Sequence, residues 1–126
     1  MMKAIVILGW DLEKEFPEVI GDYQVLHRLF CEDAYFPEYD VQLYVFSVVA
    51  PYSRRISPAE WGKAPEKTVF NFLREVRESN TMSELWCCTA HDITLSDWHW
   101  EPAVNAIVHP KNLLSELEDW AARSMP

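Results

Sequence analysis

The sequence predicts an α+β domain in which a mainly antiparallel sheet packs against two amphipathic helices. Apolar, β-branched runs follow one another along the chain, as strands do. Two segments place apolar residues at helical spacing. The strands come in runs with helices inserted between them, rather than in strict alternation. With 126 residues, 49% of them hydrophobic, the chain carries enough apolar surface for one core. A single globular domain over residues 1–126 is expected.

Lys3–Leu8 reads as a buried strand from its unbroken apolar run. Gly9-Trp10-Asp11 breaks it, and residues 11–16 can form one helical turn before Pro17. Tyr23–Phe30 is apolar on both parities and reads as a strand with one face buried and the other partly covered. Val41–Ala50 is the clearest strand of the chain and ends at Pro51. Consecutive strands usually pair, so Tyr23–Phe30 and Val41–Ala50 are expected to be antiparallel neighbours. Ser57-Pro58-Ala59-Glu60 has the form of a capping box. From Glu66, the positions Val69, Phe70, Leu73 and Val76 predict a helix that stops near Ser79-Asn80. Leu85–Ala90, Ile93–Leu95 and Ala103–Val108 read as further strands. His109-Pro110 opens a last helix, with Leu113, Leu114, Leu117, Trp120 and Ala121 on one stripe.

Charge narrows the function classes. The formal net charge is −9 and it is uneven. Residues 1–50 hold nine acids against three bases, net −6, and residues 83–126 hold seven against two, net −5. The middle, residues 51–82, has four acids and six bases, net +2. Such a surface repels phosphates and anionic membranes, so neither nucleic acid nor membrane is an expected partner. No apolar run approaches the roughly 20 residues of a membrane-spanning helix. The start of the chain lacks the cleavage site of a secretory signal. A cytoplasmic location is expected, with Cys31, Cys87 and Cys88 as reduced thiols.

Catalytic motifs are sparse. Glycines stand only at positions 9, 21 and 62, which excludes a glycine-rich phosphate loop. The segment richest in chemistry holds Cys87, Cys88, His91, Asp92, Asp97, His99, Glu101 and His109, without the spacing of a metal site. Cys87-Cys88 follows Leu85-Trp86, and in an apolar strand a cysteine acts as a small hydrophobe. No catalytic residue, cofactor or metal is therefore expected. A small hydrolase using His91, Asp92, His99 and a carboxylate is the enzymatic alternative.

Two aromatic-acidic stretches suit recognition better. The first supplies Glu32, Asp33, Tyr35, Glu38, Tyr39 and Asp40; the second supplies Asp97, Trp98, Trp100 and Glu101. Tyr and Trp bring large contact area with a polar handle, and carboxylates steer a basic partner. Aromatics of this kind also serve as plain core or rim packing. In size, acidity and these two loops the chain resembles the small acidic immunity proteins that protect bacteria from polymorphic nuclease toxins. That resemblance implies a stoichiometric inhibitor whose carboxylates and aromatics cover the cationic active site of a basic toxin. A phage-encoded inhibitor or DNA mimic is a further alternative, and the oligomeric state is left open.

Overall fold

Residues Ala4–Leu8 are wholly buried on both faces of their strand, and that fact organises the structure. A strand with no polar position must be flanked on both sides and covered above and below. In the computed structural model, which describes residues 2–9, 16–47, 69–79, 82–90, 93–98 and 103–123, it is the centre of a six-stranded sheet. The strands are β1 (Met2–Leu8), β2 (Val19–Ile20), β3 (Tyr23–Arg28), β4 (Tyr39–Phe46), β5 (Glu84–Cys88) and β6 (Ala106–Val108). Their spatial order is β2-β3-β1-β4-β5-β6. All neighbours are parallel except the short edge pair β2–β3.

The expected antiparallel sheet is thus replaced by a mostly parallel one. β3 and β4 do not pair with each other; each runs parallel to β1, one on either side. The preference of consecutive strands to pair yields to the need to bury β1 from both edges. Residues 29–38 carry the chain back along one face with only a single 3-10 turn, Cys31–Asp33. Cys31 and Ala34 are small and fully buried there, so the crossing lies close on the sheet. Between Ala4↔Val41 and Ile5↔Leu43 the register shifts, which leaves Gln42 as an extra residue in β4. That bulge restarts the alternation, so Val41, Tyr44 and Phe46 share one face while Leu43 and Val45 share the other.

One helix covers each face. Helix α1 (Val69–Ser79) buries Val69, Phe72, Leu73 and Val76 against Val6, Phe46 and Leu85. Helix α2 (Leu113–Arg123) buries Leu113, Leu117, Trp120 and Ala121 against Ile5, Val45 and Trp86. Each large side chain so buried stabilises the fold by about 1.5–3 kcal/mol. Leu114, expected on the α2 stripe, is instead 40% exposed. Cys87 points toward α1 and Cys88 toward α2, so alternation places both thiols in the core.

Other expectations shift at their ends. Residues 93–94 belong to no strand, and Leu95–Asp97 is a 3-10 turn rather than a strand. The run from Ala103 pairs only over Ala106–Val108, and Asn105 closes it by bonding both ways to the Leu85 backbone at 2.8 Å. His109 and Pro110 open a 3-10 turn that leads into α2, and the His109 ring accepts from the Lys111 amide at 3.2 Å. The capping box at Ser57–Glu60 and the turn at residues 11–15 lie outside the described residues. Among the described residues, no helix is long and apolar enough to cross a membrane.

Candidate functional site

In an open parallel sheet, ligands bind beyond the carboxyl ends of the strands where successive connections leave toward opposite faces. The connection after β1 returns through Phe16 and Ile20 on the α2 face, and the one after β4 leads to α1 on the other face. By that rule the place for a ligand on this sheet is the crevice position between the carboxyl ends of β1 and β4. Gly9, Arg28, Ser47, Thr89 and His109 directly follow or end the parallel strands there.

Backbone bonds hold this rim together. Gly9 donates to the Arg28 carbonyl at 3.1 Å, Ser47 to Leu8 at 3.1 Å and Thr89 to Val108 at 2.9 Å. Gly9 has φ 131, a backbone region that a side chain disfavours, and this turns the chain away from the sheet. The His27 Nε2 lies 3.0 Å from the Gly9 carbonyl, which ties β3 to the turn after β1. Ser47 and Thr89 are only 2% and 8% exposed, so their hydroxyls are structural members of the floor. His109 is exposed; with its Nδ1 accepting from Lys111, a neutral ring carries its proton outward on Nε2. Of these groups the rim presents the exposed His109 imidazole, while the Gly9, Ser47 and Thr89 amides and the two buried hydroxyls belong to the frame beneath it. Among the described residues, none that ends or directly follows a parallel strand at its carboxyl end is Asp or Glu, and no group of three His, Cys, Asp or Glu could hold a metal ion.

The predicted recognition residues divide between the two ends of the molecule. Glu32 and Asp33 sit on the 3-10 turn, half-buried. Tyr35 is 47% exposed, packs edge-on against Phe72, and donates its hydroxyl to the Glu75 carboxylate. Glu38 is exposed just before β4. Tyr39 faces α1 beside Phe36, whereas Asp40, one residue on, stands next to Lys3 in the sheet register. Trp98 belongs to the carboxyl end, where it packs on Phe46 and Phe70 at 6.1 Å. Asp97 ends the adjacent 3-10 turn. Trp100 and Glu101 lie outside the described residues, as do His91, Asp92 and His99 of the hydrolase alternative. Tyr35 and Tyr39 do come together, and they line one cavity with Phe36 and Tyr44.

The thiols offer no nucleophile. Burial pushes Cys31 and Cys87 up to about 12, which keeps both protonated. The strand-end residues Ser47, Thr89 and His109 were not singled out by sequence as one site. Each follows an apolar strand directly, but only the parallel order of those strands places them on the same rim.

No protein-family model and no curated protein matches this chain. Solved structures do. A BeF3-activated receiver domain of DrrB is 16% identical, with a TM-score of 0.57 over 98% of this chain and 100% of that one. A CheY-like response regulator receiver domain from Methanospirillum hungatei JF-1 is 13% identical, with a TM-score of 0.56 over 98% and 96%. The RcsB response regulator of Salmonella typhimurium is 11% identical, with a TM-score of 0.59; the match takes in 97% of this chain and 59% of that one. At these identities the likeness establishes a receiver-type α/β fold.

These neighbours overturn the resemblance to toxin immunity proteins, and with it the inhibitor function and the basic toxin partner. Acidity, small size and aromatic loops are surface and composition traits that unrelated folds share. They do not encode strand direction, which is what separates this fold from the expected one.

Proposed function

We propose that this chain is a cytoplasmic, non-catalytic signalling module of the receiver type, with the carboxyl-end crevice as the place where its signal is read. The observation that carries this is co-extension: nearly the whole chain superposes on an entire receiver domain, with little left over on either side. The partners that follow from such a role are histidine kinases and effector domains.

Crevice chemistry favours reading by binding. Ser47 directly follows β4, and its buried side chain carries a hydroxyl where an acyl phosphate would need a carboxylate. His109 is exposed there, and its outer ring nitrogen is a donor that a partner's carbonyl or carboxylate can engage.

The test uses the full chain with acetyl phosphate and Mg2+, followed by intact mass. The expected result is no phosphoryl adduct; a stoichiometric adduct overturns the non-catalytic reading. In parallel, the chain is titrated with histidine kinase and effector domains of its own cell, and His109→Ala is compared with the parent. A saturable complex weakened by His109→Ala supports the module. Complexes that form equally well without the imidazole would move signal reading away from the crevice.

A further inference from the structure

We draw no further inference here: the strongest candidate, the open cavity of about 620 Å³ between α1 and the amino end of β4 that Tyr35, Phe36, Tyr39 and Tyr44 line, carries nothing because no feature of the structure shows what covers it.

Discussion

The two faces of the sheet bury similar kinds of residue and yet end in different states. On the α2 face, Trp120 packs 4.7 Å from Tyr23 and 6.3 Å from Trp86. One carboxylate, Glu84, accepts from both indoles, at 2.6 Å from Trp120 and 3.4 Å from Trp86. Among the described residues, every large ring there has a ring neighbour and each indole N–H an acceptor. On the α1 face, Phe72 meets Tyr35 and Tyr44, but the space beyond them stays open. The difference comes from connection length. A full helix plugs one face beneath β2 and β3, while on the other a thin crossing leaves volume unfilled. The closed face serves stability, and the open face is where recognition can be built without dismantling the core.

Breaking the closed face should cost most. Trp120→Ala is expected to lower unfolding stability by about 3–5 kcal/mol, since it empties a ring site and takes from Glu84 the nearer of its two indole donors. Urea denaturation measures it, and a loss under 1 kcal/mol would mean that the α2 face is not sealed. Alkaline titration attacks the other face. Cys31, Cys87 and Tyr44 all belong to the α1-side cluster, and burial raises each of them to about 12. Between their unfolded values, 9.0 for the thiols and 10.0 for the tyrosine, and about 12, the folded state binds more protons than the unfolded one. Stability is thus fully present below pH 9 and falls as pH rises toward 12. Denaturation midpoints across that window should fall less steeply in Cys87→Ala than in the parent.

Smaller changes sharpen the contrast. Glu84→Gln keeps an acceptor but loses the charge on two indole bonds, and about 1–2 kcal/mol of stability is expected to go with it. A red shift in tryptophan emission would accompany it. Gly21→Ala tests the β2–β3 turn, where φ is +59 and an added Cβ would stand 3.3 Å from that of Ala121. It should destabilise by about 1 kcal/mol, through the disfavoured backbone more than through contact. Smallest of all is Tyr44→Phe, expected to change stability by no more than about 0.5 kcal/mol because its hydroxyl has no partner to lose. A large loss there would show that the open face is closed after all.

Particular residues show what could be read in advance and what could not. Apolar spacing marked Val69, Leu73 and Val76 and the stripe Leu113, Leu117 and Trp120, because a helix repeats its contacts locally. The strands from Lys3, Tyr23, Val41 and Leu85 were visible for the same reason. Strand direction was not. Tyr23–Arg28 and Tyr39–Phe46 carry the same alternation whether they pair with each other or with β1, and only the burial of β1 on both edges decides between them. The aromatic loop around Tyr35 and Tyr39 was marked for recognition from composition, but its cavity partner Tyr44 looked like one more core residue of a strand.

From the sequence alone came the elements whose signal is periodic and local: the central apolar strand, both helices, the buried thiols and the absence of a phosphate loop. The tertiary structure alone decided the parallel order, the shared rim of Ser47, Thr89 and His109, and the cavity beneath the short crossing. Those features depend on which distant segments bury one another, and a pairing between residues far apart in the chain leaves no periodic trace along it.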